Sequence, residues 1–144
     1  MSNQSPISTS EGDDAGPAPF HARALAASLT VKDLHTSLAW YRDVVGFTVN
    51  RRYEREGSLM AVALSAGAVE ILITQDTGAK GLDRVKGEGF SLQFTTAQSV
   101  DEIANRVKAH GITLDTEPAD TPWGARVFRL RDPDGFRLVI SSER

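Results

Sequence analysis

Glu70 is the residue of this chain best suited by type and setting to meet a ligand or move a proton. It stands in Val69-Glu70-Ile71-Leu72-Ile73, where strand alternation sends Val69 and Ile71 toward a core and puts Glu70 with Leu72 and Thr74 on the opposite face. A carboxylate there either pairs with an arginine across the sheet, Arg137 or Arg126, or presents its charge to a cationic or hydrogen-bond-donating ligand, because buried carboxylates are rarely left unpaired. Trp123 lies between Pro122 and Gly124, just ahead of Arg126. A loop tryptophan of this kind either plugs a core or offers a stacking surface. Ser91, Gln93 and Thr95 alternate with Leu92 and Phe94, as Ser28 and Thr30 alternate with Leu29 and Val31. A cavity lined by Ser, Thr, Gln and one Glu, with an aromatic at its rim, forms hydrogen bonds but holds no electrophile, which suits binding better than chemistry. There is no cysteine, so thiolate catalysis and Cys-ligated metal sites are excluded. His21 lies at the edge of a polar tail, and His35 and His110 fall at helix ends, where surface and capping roles are the expectation.

Two similar sets of elements would hold these residues. Over residues 24–31, Leu25, Ala27, Leu29 and Val31 share one face and Ala26, Ser28 and Thr30 the other, which predicts a strand. Asp33 then stands at an N-cap, and Leu34, Leu38, Tyr41 and Val45 recur at helical spacing up to Gly46, a left-handed stop. Tyr41 belongs to the apolar stripe and Trp40 flanks it, both in core or dimer packing. Strands follow over 47–53, 59–65 and 68–75, and the charged hairpin edge with Arg51, Arg52 and Arg55 reads as solvated. Residues 76–88, with Asp76, Gly78, Gly81 and Gly87, form a linker.

From residue 90 the pattern repeats, with a strand to Thr96, a helix over 100–111, a strand over 112–117 and a hairpin turning at Asp132-Pro133-Asp134-Gly135. Gly46 and Gly111 are 65 residues apart, an offset that carries Ser28 onto Gln93. The expected fold is α+β, with two strand-helix-strand-strand-strand modules over about 24–75 and 89–142 in one domain spanning 23–144. The preceding residues 1–22, rich in Ser, Gly, Asp and Pro, are expected to form a disordered tail.

The net charge of −3 resides in that tail, which carries Glu11, Asp13 and Asp14 and no base, while the remainder is balanced at 16 acidic and 16 basic residues. Without a basic excess the phosphate term that dominates nucleic-acid affinity is missing, so nucleic acid is not an expected partner. No apolar run approaches the roughly 18 residues of a membrane-spanning helix, and the N-terminus has no secretory pattern. A cytoplasmic protein with no membrane partner is the expectation.

Leu29-Thr30-Val31-Lys32-Asp33-Leu34, continued by Trp40-Tyr41-Arg42 and Gly46-Phe47, resembles the opening of the vicinal oxygen chelate superfamily, which comprises glyoxalase I, extradiol dioxygenases and bleomycin-resistance proteins. Asp132-Pro133-Asp134-Gly135-Phe136 resembles its closing motif, and the likeness extends over about residues 25–141. The resemblance implies paired βαβββ modules curled into a cup-shaped, barrel-like sheet with helices outside, assembled as a homodimer. The superfamily's enzymes bind a divalent metal in the cup, and the resemblance puts the four ligand positions at Ala26, Glu70, Ser91 (or Phe90, one residue earlier) and Val139. Only Glu70 offers a metal ligand, so no metal and no cofactor are expected. The Pro122-Trp123-Gly124 loop with Arg126 resembles the segment that closes over ligands in bleomycin-resistance-like members.

The reading is a metal-free binding protein that sequesters a small, aromatic or antibiotic ligand through Ser28, Thr30, Glu70, Ser91, Gln93, Trp123 and Arg126. Two alternatives stand beside it. One is a lyase, isomerase or dioxygenase-like enzyme using Glu70 as acid or base or in a differently aligned metal site. The other is a structural or regulatory dimer with an unused cup.

Overall fold

The computed structural model describes residues 18–143, so most of the expected tail lies outside the described residues. Four strands make the first sheet: β1 (Ala26–Val31), β2 (Thr48–Arg55), β3 (Ser58–Ala66) and β4 (Val69–Gln75), in the order β1-β4-β3-β2. The second sheet repeats this with β5 (Ser91–Thr96), β6 (Thr116–Asp120), β7 (Arg126–Arg131) and β8 (Arg137–Ser142), in the order β5-β8-β7-β6. In each module the first strand lies parallel to the last, and the remaining pairs are antiparallel. The fold is α+β, with two βαβββ modules as expected, and the two sheets are not closed into a barrel.

Turn chemistry accounts for the hairpins. Glu56 and Gly57 both take positive φ, 51° and 80°, as a two-residue turn matched to strand twist requires, and they join β2 to β3. Between β7 and β8, Gly135 adopts φ 95° and donates its N–H to the Asp132 carbonyl at 2.9 Å. One strand differs from expectation. Residues 112–115 are irregular, and β6 begins only at Thr116, with a break in register before Ala119. Pro118 lacks an N–H and is tolerated because β6 is an edge strand.

The first helix also departs from the sequence pattern. Asp33 caps it as expected, accepting from the Thr36 N–H at 3.2 Å, but the α-helix α1 covers only Leu34–Ala39. A π-helical turn over Trp40–Val45 completes it, and Gly46 and Phe47 both donate to the Tyr41 carbonyl, at 3.0 and 2.9 Å. Trp40 as well as Tyr41 is buried, although the 3.6-residue spacing sets Trp40 on the flank of the apolar stripe. In the second module α2 (Val100–Ala109) is capped by Ser99 and ends at Gly111, φ 82°.

One core runs through both modules. Leu29, Val31, Tyr41 and Ile73 of the first pack in the same cluster as Val107, Phe128, Leu130 and Leu138 of the second. Phe47 meets Tyr41 edge to face within the first module, centroids 5.5 Å apart, and meets Phe94 of the second the same way at 5.8 Å, crossing the boundary between them. The linker over 76–88 has no regular structure and is tied down by Asp76, which takes Lys86 Nζ at 2.7 Å, Arg84 at 3.3 Å and the Gly78 N–H at 2.8 Å. These donors, the Lys86 ammonium first, hold the Asp76 carboxyl well below the usual carboxylate range.

Candidate functional site

Burial of alternate residues on one side of each sheet leaves the other side open. On the first sheet β1 presents Ser28 and Thr30 to solvent while Leu29 and Val31 are buried. The register sets Ala26 beside Glu70, Ser28 beside Leu72 and Thr30 beside Thr74, and Glu70 in turn beside Ser65 of β3. Val69, expected to face the core, is 45% exposed at the strand end, whereas Ile71 and Ile73 are buried. Glu70 bonds to neither Arg137 nor Arg126. Its carboxylate accepts from Asn50 Nδ2 at 3.0 Å, and Asn50 Oδ1 accepts from the Ser65 hydroxyl at 3.1 Å. Asn50 falls where the β2–β3 register slips between Val49 and Arg51, and this irregularity delivers it to the Glu70 side, a displacement that strict alternation could not foretell.

On the second sheet the open face is built from Ser91, Gln93 and Thr95 of β5, with Arg137, Val139 and Ser141 beside them on β8. Val127, Arg129 and Arg131 of β7 follow. Trp123, 56% exposed, stands over the end of this face and lines a cavity of about 240 Å³ with Gln93, Thr95, Ala125, Ser141 and Glu143. At the other end a cavity of about 220 Å³ holds Phe90, Ser91, Asp115, Arg129 and Arg137. Ala125, Val127 and Val139 form a small apolar cluster on the same sheet. Neither cavity includes Ser28, Thr30 or Glu70. A larger cleft of about 690 Å³ between the modules reaches Gln93 and Thr95 from the side of Val69 and Gly67.

Arg126 does not accompany Trp123. It shares parity with the buried Phe128 and Leu130, and its guanidinium pairs with Asp101 of α2 at 2.8 Å and with Asp120 at 3.0 Å, on the helix side of the sheet. Asp101 first and then Asp120 hold it above the ordinary guanidinium value. Arg129, a residue the sequence reading passed over, occupies the open face instead, and the alternation of Arg129 and Arg131 with Phe128 and Leu130 was the signal for it.

The histidines lie where expected. His21 and His35 are exposed, and His110 caps α2, with one ring nitrogen 3.0 Å from the Arg106 carbonyl. Among the described residues no three His, Asp, Glu or Cys side chains converge on a common point, and no helix is long and apolar enough to cross a membrane.

Residues 21–140 match the family model for the Glyoxalase/Bleomycin resistance protein/Dioxygenase superfamily. The chain belongs to this superfamily. Among curated proteins no match is found. Solved structures share the superfamily fold at low identity. TioX from Micromonospora sp. ML1 is 23% identical, with 85% of this chain and 97% of that one covered and a TM-score of 0.66. A superfamily member from Sphaerobacter thermophilus DSM 20745 is 22% identical, covering 85% and 98%, with a TM-score of 0.68. TnmS3, an antibiotic binding protein from Streptomyces sp. CB03234, is 18% identical, covering 88% and 100%, with a TM-score of 0.67.

The superfamily's enzymes raise the question of a divalent metal, and the donors present do not fit one. Ala26 and Val139 have no donor atom, Ser91 offers a neutral hydroxyl, and Glu70 is engaged by Asn50. Register sharpens the mismatch. Ser91 lies beside Arg137 on β8, so a guanidinium stands next to the third ligand position and two residues before the fourth, Val139. A cation there would meet a like charge.

Proposed function

We propose that this protein binds and sequesters a small aromatic molecule, without a metal, on the open face of the second sheet. The observation that carries the reading is Trp123, a large aromatic left 56% exposed over a cavity whose other walls include Gln93 and Thr95. An indole plane beside amide and hydroxyl groups stacks a ring and fixes its orientation. The fold is shared with TnmS3, an antibiotic binding protein, which makes an antibiotic the first class of ligand to try. Ser91 and Gln93 would orient the ligand. Ser28, Thr30 and Glu70 would act from the first sheet of a second copy laid against it, since within one chain they share neither cavity with Trp123. A cytoplasmic homodimer made of one glyoxalase-like domain per chain completes the proposal. Glu70 as general acid or base has little to recommend it, because its carboxylate is exposed and held by Asn50, and the neighbouring Ser65 hydroxyl donates to Asn50 rather than to Glu70.

A thermal-shift screen with aromatic antibiotics tests this. A ligand at a hundred times its dissociation constant adds about 2.7 kcal/mol of stability. A complete absence of shifts would favour the unused-cup dimer. Metal analysis of protein purified without chelator should give far less than one equivalent of Ni, Zn, Mn or Fe, and a full equivalent would overturn the metal-free reading.

A further inference from the structure

The second sheet's open face is electrically lopsided. At one end Arg129, Arg131 and Arg137 crowd together, with Arg131 and Arg137 directly opposite across the β7–β8 pair and Arg129 two residues along the same face. Like charges set opposite one another in a sheet repel. Asp115 relieves one of them, accepting from Arg131 Nε at 3.0 Å. Arg129 and Arg137 have no acidic partner in an ion pair among the described residues, yet both line the cavity of about 220 Å³ with Ser91, Phe90 and Asp115, the last with its carboxylate taken up by Arg131. At the other end Glu143 lies by the Trp123 cavity. The face therefore runs from a carboxylate and an indole to three guanidiniums that share one carboxylate, Asp115.

We propose that the ligand carries an oxyanion, a carboxylate, sulfate or phosphate group, seated between Arg129 and Arg137 beside the Ser91 hydroxyl. Guanidinium forks match the planar or tetrahedral oxygens of such groups and bind them through charge-assisted hydrogen bonds. Phe90, 43% exposed, walls the same cavity. Ser91 of this cavity and Gln93 of the Trp123 cavity are two residues apart on β5, about 7 Å along a strand, so the acid group lies roughly 7–10 Å from the ring that stacks on Trp123. The ligand class is thus an aromatic body bearing one acid group at its edge. This deepens the sequestration reading and rests on it for the aromatic part only.

Two measurements test it separately. In the first, calorimetric titration compares anthraquinone-2-carboxylate with anthraquinone-2-carboxamide. The carboxylate should bind at least tenfold more tightly, with the preference shrinking as salt is raised, and Arg129→Gln or Arg137→Gln should remove the preference while leaving amide binding within twofold. Arg55→Gln, an equal charge change at the far end of β2, should leave both unchanged. In the second, the unfolding midpoint is taken in sulfate and in chloride at equal ionic strength. Wild type should gain more from sulfate than either arginine variant does. Equal gains, or equal binding of the two probes, overturn the oxyanion site. Amide binding without any anion preference would leave sequestration standing while removing this inference. A sulfate gain confined to wild type, with neither anthraquinone bound, would keep the oxyanion site and remove the aromatic ligand. If Arg137→Gln instead dissociates a dimer and leaves both anion measurements unchanged, a carboxylate of a second copy occupies the pair and the inference falls.

Discussion

The two modules share strand order, the parallel pairing of first and last strands, and a glycine-stopped helix, yet their open faces carry opposite chemistry. The first offers Ser28, Thr30 and a Glu70–Asn50–Ser65 hydrogen-bond chain. The second offers Ser91, Gln93, three arginines and a tryptophan at the rim. Where the faces point inward the modules stay alike, with β-branched and leucine side chains on alternate positions. A duplicated scaffold constrains the side that packs and leaves the other free to diverge, and in this chain the divergence is one of charge.

The largest effects should come from the side that the modules share. Phe128→Ala in the second module is expected to cost about 3–5 kcal/mol and Ile73→Ala in the first about 2–5 kcal/mol, both side chains being fully buried. Because they belong to one core cluster, urea denaturation of either variant should show a single transition. Two separate transitions would mean that the modules unfold independently.

Next in size is the contact between modules. Tyr41 donates its hydroxyl to Asp132 Oδ2 at 2.7 Å, and both residues are buried. Tyr41→Phe should cost about 1.5–3 kcal/mol, the worth of a hydrogen bond to a charged group. Burial raises the Asp132 carboxyl above its ordinary 3.8, with the Tyr41 and backbone bonds pulling it back. The folded state thus holds that proton more tightly than the unfolded chain, so the contribution of Asp132 is full below 3.8 and declines as pH rises through the folded value. Asp76 has the opposite sign, and its contribution is lost as pH falls toward its depressed value. The Tyr41→Phe loss should accordingly be larger at neutral pH than in acid, which pH-dependent denaturation would show.

Ligand affinity gives smaller numbers. Trp123→Ala should weaken an aromatic ligand about tenfold, or 1.4 kcal/mol, while Glu70→Gln changes it only a few-fold by isothermal titration. The reverse order would move the site to the first sheet. Smallest of all, Arg126→Gln should leave affinity within twofold and cost under about 1 kcal/mol, since its ion pairs with Asp101 and Asp120 are at the surface on the helix side.

Most of the architecture was legible because it rests on local chemistry. Asp33 and Gly46 bounded the first helix, the Asp132–Gly135 turn made its hairpin, and the alternation in β1 and β5 sorted Ser28, Thr30, Ser91 and Gln93 to the open faces. What was lost depends on register or on tertiary packing. The π turn answers to packing around Tyr41, and no spacing rule at 3.6 residues per turn anticipates it. Asn50 reaches Glu70 through an irregular ladder. The family resemblance of the Pro122-Trp123-Gly124 segment puts Arg126 with Trp123 over a ligand, although its position within β7 aims it at α2.

The Asp132 turn has a second carboxylate, and its use changes what the turn is for. Asp134 Oδ2 accepts from the Lys32 N–H at 2.7 Å, as Asp132 accepts from Tyr41, so the closing motif grips the opening one on both sides of Asp33. The two segments of this chain that carry its resemblance to the superfamily are therefore the two jaws of a single clasp. A substitution in one jaw is felt in the other, 91 to 102 residues away along the chain. The motif marks how the halves are held together, and it leaves the chemistry of the open faces free to change.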